Sequence, residues 1–380
     1  MLRRFRVVIV ASLLATGVTF QARAGVVVYE EGEKKIEIGG QIQVQYHQTD
    51  PDGGESEDEL FFRRLRPYIA GTIAKNWLGK IEFDFGNSDV NVKDAFVQYT
   101  GWERVTMTLG NQKPPYSREF LTSSKRQQFV ERTFVGDHNY GGPDRMIAVK
   151  LDGHSKSKKL AWSASAGSAE IDPDVSKLDF DSPATSDADF NQGLLIAGRL
   201  DFHPLGAMKY DQSDFDRKTL YTLSVGGFTW ANDDDNNTYT VGGVGTNAKK
   251  ADVDSVNGLE LSAGLRSSGL SLDAQYNLIS ADSVDGSFTG GIFDGGTADL
   301  DVFALEGGYM FPSHFELVGA WEMLDADTYA KEWTRTSIGI NHYYKKHDIK
   351  WQLAYRMGEN VNGVDGADAD DLFLMFQLVF

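Results

Sequence analysis

Residues 371–380, DLFLMFQLVF, put Leu372, Leu374, Phe376, Leu378 and Phe380 on one face of an extended chain. Residues 348–357, DIKWQLAYRM, sharpen the pattern: Ile349, Trp351, Leu353, Tyr355 and Met357 alternate with Lys350, Gln352, Ala354 and Arg356. A period of two gives a strand one apolar and one polar face. The same split recurs at 79–86, where Ile81, Phe83 and Phe85 oppose Lys80, Glu82 and Asp84. It runs on through 258–278, broken only by the turn Ser267-Ser268-Gly269. About sixteen such segments lie between Ile36 and Phe380. Their connections alternate in length, being short at 75–78, 101–103, 267–269, 311–313 and 345–348. They are long at 50–59, 111–142, 169–189, 231–256, 281–298 and 359–370. Strands with short turns at one end and long loops at the other describe an all-β, transmembrane antiparallel β-barrel.

A soluble sandwich or propeller would alternate too. The loop-length alternation, the aromatics near strand ends (Trp102, Trp230, Phe311, Trp333, Tyr343, Tyr344) and the terminal Phe380 favour the barrel. A barrel of this width keeps an aqueous lumen, because side chains cannot fill it. No apolar run after Gly25 approaches the roughly 20 residues of a membrane helix.

Residues 1–24 have a basic start, an apolar core at Val7–Leu14 and the small-x-small end Ala22-Arg23-Ala24, which reads as a cleaved export signal. Residues 25–35 are then a periplasmic lead-in, 36–380 the barrel, and the location the outer membrane of a Gram-negative bacterium. Phe380 is the expected handle for the barrel-assembly machinery. The chain has no cysteine, which excludes disulfides, thiolate metal sites and a lipid anchor. Its formal charge of −18 excludes a nucleic-acid partner, and loss of the four arginines before Gly25 takes the charge to about −22.

Within this acidic chain the segment 111–138 is basic, with Lys113, Arg118, Lys125, Arg126 and Arg132 against Glu119, Glu131 and Asp137. It also carries Phe120, Leu121, Phe129, Val130, Phe134 and Val135. A solvated loop has little use for such residues. A loop folded into the lumen packs them on the wall and turns its serines and bases toward the channel.

Residues 109–134, LGNQKPPYSREFLTSSKRQQFVERTF, resemble the constriction loop of the phosphate-selective porin O and P family. Residues 61–86 and 92–99 resemble that family's early strands, and beyond Pro143 the likeness is architectural. The resemblance implies a trimeric, passive anion channel with a phosphate-like ligand held by Ser123, Ser124, Lys125, Arg132 and the lumenal Asp94. It implies that Arg63 and Arg64 begin a lumenal row of bases, which Arg66 on the same strand joins. Lysine and arginine give an oxyanion charge-assisted hydrogen bonds. A carboxylate such as Asp94 accepts from the P–OH of a protonated phosphate, which chloride lacks.

Past Pro143 the polar faces offer Arg199, Arg266, Lys350 and Arg356 as pore-lining bases, but also Asp201, Glu260, Asp273, Glu306, Glu316 and Glu322. The loops are acidic at 50–59, 232–237 and 365–371. Two further readings follow: a general or weakly cation-selective porin with an acidic lumen, and a barrel serving as adhesin or anchor. The acidic loops suit divalent ions bridging to lipopolysaccharide more than a calcium site, since no calcium-loop spacing occurs. No metal or cofactor is expected. An enzyme is not expected either, because no nucleophile motif or phosphate-binding glycine loop occurs and the seven histidines are scattered.

Overall fold

The structure, a computed structural model, describes residues 25–173, 177–184, 192–232 and 251–380. The expected export signal at 1–24 and most of the acidic run 232–237 lie outside these residues. The first strands are β1 (Val26–Glu31), β2 (Lys34–Pro51), β3 (Glu57–Ala74), β4 (Trp77–Asp84), β5 (Asn91–Trp102) and β6 (Val105–Gln112). A single short helix, α1 (Arg118–Leu121), precedes β7 (Met146–His154), β8 (Leu160–Pro173), β9 (Leu178–Asp181) and β10 (Gln192–Phe202). Then come β11 (Leu220–Asn232), β12 (Val253–Ser267), β13 (Leu270–Ser283), β14 (Thr297–Met310) and β15 (Phe315–Ala326). The last are β16 (Trp333–Lys345), β17 (Ile349–Glu359) and β18 (Ala369–Val379).

All pairings between these strands are antiparallel, and β18 pairs with β2 while β8 pairs with β10, so the sheet closes. Eighteen strands are in the sheet. Without β1, which only forms a hairpin with β2, and β9, which only borders β8, sixteen make a closed barrel. The stretch read as a lead-in therefore contains a strand. At the seam Gly40 and Phe380 exchange two backbone hydrogen bonds, 2.8 and 3.0 Å long.

The faces follow the alternation. In β4, Ile81 and Phe83 point outward while Glu82 and Asp84 are buried on the lumen side. Turn chemistry holds the register: between β12 and β13 Ser268 and Gly269 both have positive φ, as a two-residue hairpin turn requires. Of the aromatics near strand ends, Trp102, Phe311 and Tyr344 are exposed on the outside, as a lipid-interface girdle is. Trp230, Trp333 and Tyr343 have the opposite parity. They are buried inside, where they pack against segments that fill the barrel.

Two departures from regular alternation matter. Gln43 pairs with Arg64 but Val44 pairs with Phe62, which leaves Arg63 as the extra residue of a β-bulge. The bulge brings the consecutive Arg63 and Arg64 to the same cavity, which strict alternation forbids. The connection 203–219 between β10 and β11 is long although it lies at the short-turn end, and it folds inward.

Ile338 lies near the middle of β16 with its side chain exposed to the outside. Ile338→Arg is expected to cost roughly 2–4 kcal/mol, as arginine does at mid-bilayer depth, and Tyr344→Arg near the strand end about 0–1 kcal/mol. Denaturant midpoints of the barrel folded in phospholipid vesicles test this; equal costs at the two depths would contradict the lipid-facing assignment.

Candidate functional site

The segment 113–145 between β6 and β7 lies inside the barrel. Ser117 caps α1, its hydroxyl accepting from the Phe120 N–H at 3.1 Å. Single 3₁₀ turns follow at Ser124–Arg126 and Phe134–Gly136. Phe129 and Val130 pack on Val318, Ala354, Phe373 and Met375 of the wall. Phe134 and Val135 join the larger cluster around Trp230, Ile279, Leu300 and Trp333. The inward fold expected from these apolar residues is present.

A loop with so little regular structure leaves buried N–H and C=O groups to be satisfied. The wall β12–β18 satisfies them with side chains. Glu260 accepts from Arg118 N–H (3.2 Å), Gln275 from Glu119 N–H (3.0 Å) and Glu322 from Phe134 N–H (2.6 Å). Lys350 donates to Gln127 O (2.7 Å), Gln352 to Gln128 O (2.6 Å) and Gln377 to Lys125 O (2.9 Å).

This changes the meaning of the far-wall charges. Asp201, Glu260, Asp273, Glu306, Glu316 and Glu322 are all buried beneath inward-folded segments. The bases expected to line the pore there are covered with them. Arg199 is fully buried against Asp201 and Glu260, and Arg266 pairs with Asp273 at 2.6 Å. Lys350 is 0% exposed beneath the loop. Arg118, from the loop itself, is buried on Asp273 at 2.9 Å. The first three stand on lumenal faces, and all four act as struts between inward-folded segments and wall. Arg356 is likewise committed, to Asp371 at 2.7 Å.

Along β2–β7 the lumen keeps two cavities open. The lower, about 360 Å³, has six bases, Arg66, Lys80, Lys113, Lys125, Arg145 and Lys150, against Glu82 and Asp94. Ser123 and Ser124 line it too. The upper, about 330 Å³, includes Arg63, Arg64, Lys93 and Arg132. Arg66, Lys113 and Arg145 border both cavities and so mark the neck between them. Of the five expected ligand residues, Ser123, Ser124, Lys125 and Asp94 thus come together below the neck. Arg132 stands above it, its guanidinium donating to Thr122 O at 3.0 Å.

Asp94 takes a base on each oxygen, Lys80 at 2.7 Å and Arg145 at 3.0 Å, so its first effect is to hold those two cations at the wall. Arg63 is held by Glu131 through a two-pronged bridge of 2.6 and 2.8 Å, and Arg66 by Asp84 at 2.6 Å. Arg126 points to the short-turn end, paired with Asp211 at 2.8 Å. Among the described residues, no salt bridge neutralises Arg64, Lys93, Lys113, Lys125 or Arg132. Burial first, then Arg132, Arg145 and Arg66, push the Lys113 amine well below its usual value. Burial, followed by its own cationic neighbours, lowers Arg132 to about 10 despite Glu119. Cations that depress one another in this way gain from an anion placed between them.

Lys80, Lys93, Arg145 and Lys150 were not anticipated as site residues. Lys80 stands on the polar face of an alternating strand and Lys93 precedes Asp94, signals that were available. Arg145 is the last residue before β7, past the bound at 142 read from the sequence, where composition alone marks no boundary.

A closed sixteen-stranded barrel with a loop packed in its lumen is an outer-membrane porin. The chain matches the family model described as phosphate-selective porin O and P over residues 36–380, and it belongs to that family. It is similar to Porin O of Pseudomonas aeruginosa, 32% identical over 157 residues covering 35% of this chain and 36% of that protein. The match thus spans about a third of that relative's length. In fold it is similar to OmpT of Vibrio cholerae in its trimer form (15% identity, 92% of this chain and 100% of that one, TM-score 0.60). The outer-membrane channel DcaP of Acinetobacter baumannii is also similar in fold (12% identity, 91% and 97%, TM-score 0.58). Family and fold are both of the channel type.

At the upper rim His138 lies 2.7 Å from Asp179 of β9. Burial alone would lower its pKa, but Asp144, the Asp179 hydrogen bond and Asp137 outweigh it and raise the imidazole to about 9. Because the folded value exceeds the ordinary 6.5, this stabilisation is complete below pH 6.5 and is lost as pH rises through about 9. Amide exchange across 134–144, corrected for base catalysis, should therefore accelerate between pH 7 and 10, and His138→Gln should be fast at both. Equal pH responses in the two proteins would remove His138 as the cause.

Proposed function

We propose that the chain conducts small anions, phosphate among them, by passive diffusion through the neck at Arg66, Lys113 and Arg145. The observation that carries this reading is the lower cavity's excess of bases in a protein of net charge −18. An oxyanion entering the neck sheds hydration water, and only hydrogen-bond donors replace it. Lys113 and Lys125 supply charge without a carboxylate partner, and Ser123 and Ser124 supply hydroxyls in the same cavity. Each oxygen of Asp94 keeps a second lone pair, which suits a P–OH donor and tempers the positive field. A conducting site needs both properties, attraction to load and restraint to release.

The acid-lined alternative loses its main support, because the far-wall carboxylates that would make the lumen cation-selective are buried under the loop. Trimeric assembly, removal of residues 1–24 on export, recognition of the Phe380 strand by the assembly machinery and lipopolysaccharide contacts at the acidic rim complete the proposal. The trimer draws support from the family and from the neighbour solved as one.

In a planar bilayer under a potassium chloride gradient the reversal potential should be anion-selective, and phosphate should block chloride current. Lys125→Glu should raise the half-blocking phosphate concentration roughly 10- to 100-fold, the equivalent of about 1.5–3 kcal/mol for one charge-assisted bond. A cation-selective wild type would overturn the proposal, and an unchanged Lys125→Glu would remove that lysine from the site.

A further inference from the structure

The connection 203–219 gathers observations that the reading above does not use. Every other described connection at its end of the barrel is short, yet this one spans 17 residues between β10 and β11 and enters the lumen. It is tied to the wall on both sides. Tyr210 donates to Asp201 at 2.7 Å, Ser213 to Glu316 at 2.9 Å, and Asp214 accepts from the Gly269 N–H at 2.7 Å.

Between those ties it grips the tip of the constriction loop. Gln212 N–H donates to Arg126 O at 3.1 Å, and the Gln212 side-chain oxygen accepts from Gln128 N–H at 2.6 Å. The Asp211 carboxylate accepts from the Arg126 guanidinium at 2.8 Å. His347, from the turn before β17, sits 2.8 Å from Gln212 O and 3.0 Å from Asp211, closing the junction from the other side. Gln212 is 2% exposed, so its bonds are shielded from water.

The gripped segment is the one that carries Lys125. Its own structure is a single 3₁₀ turn at Ser124–Arg126. Lys125 lies where the lower cavity meets a second one of about 400 Å³ at the short-turn end. Gln377 of the wall holds the Lys125 carbonyl, and the grip on Arg126 and Gln128 fixes the backbone that follows, which together settle which cavity the side chain faces.

We infer that the connection 203–219 is a clamp that fixes the constriction-loop tip from below, with Asp211 and Gln212 as positioning residues for Lys125. The tip is thereby held from two directions: the wall takes the carbonyls of Lys125, Gln127 and Gln128, and the clamp takes the Arg126 carbonyl and guanidinium and the Gln128 N–H. The inference rests on the proposed anion passage only for what Lys125 does, not for where it is held.

The test uses full-length protein in planar bilayers. Gln212→Ala removes the buried grip, and Asp211→Asn, nearly isosteric and half-exposed, weakens the charged one without threatening folding. Both should raise open-channel current noise severalfold. Gln212→Ala should also raise the half-blocking phosphate concentration roughly tenfold. The exchanged pair Arg126→Asp with Asp211→Arg should return the noise toward the natural level, which a merely structural lesion would not allow. Noise reads loop motion whichever ion carries current. A wild type without phosphate block would therefore overturn the anion reading while leaving the clamp testable. Wild-type noise in both single variants, or no recovery in the exchanged pair, would overturn the clamp.

Discussion

The structure depends on one constraint: 33 residues of largely irregular chain, 113–145, lie inside a barrel, and their buried backbone groups must be hydrogen-bonded. A strand in the wall satisfies its neighbours through the ladder. A loop in the lumen cannot, so side chains of β12–β18 take over, with Glu260, Gln275 and Glu322 accepting and Lys350, Gln352 and Gln377 donating. The carboxylates are suited to this work because a charged acceptor forms the stronger hydrogen bond to an N–H. Once they are so occupied, their buried charge is compensated by Arg199 at Glu260 and by Arg335, 3.7 Å from Glu322.

From that commitment follows the asymmetry of the lumen. The side of the barrel that holds the loop has its acids and bases covered and bonded in place, while the opposite side, β2–β7, is left to face the passage. In the lower cavity the bases outnumber the acids, so a carboxylate such as Asp94, shared between Lys80 and Arg145, orients two cations while cancelling one charge. The bulge at Arg63 adds a second arginine to that side without lengthening the strand. The charge that faces the passage thus depends on which charges the loop covers as much as on the charges it brings.

The sequence made the barrel legible because alternation is a property of the backbone, and each strand reports it independently. The inward loop was legible for a different reason, the conflict between its charges and its six apolar residues. The far wall misled because Glu260 and Lys350 read as lumenal by parity, and parity does not tell whether another segment lies on top. Parity also separates Trp102 from Trp230, which proximity to a strand end does not. The connection 203–219 escaped notice since its Pro204, Gly206 and three aspartates match any turn. Only its length hinted that it does more than reverse the chain.

The acidic loops at the mouth and the cationic neck are compatible once distance is considered. Exposed carboxylates such as those of 52–59 are screened within about 8 Å at physiological salt. The neck cations are enclosed by low-dielectric wall, and enclosed charges are screened much less. On the proposed anion reading, an anion at the mouth meets a weak, salt-dependent barrier and one at the neck a strong attraction. Crowding among Lys113, Arg132, Arg145 and Arg66 keeps that attraction from being wholly offset by fixed acids. In the proposed anion passage the same crowding makes an empty neck the least favourable state, so that an anion that leaves is readily replaced by the next.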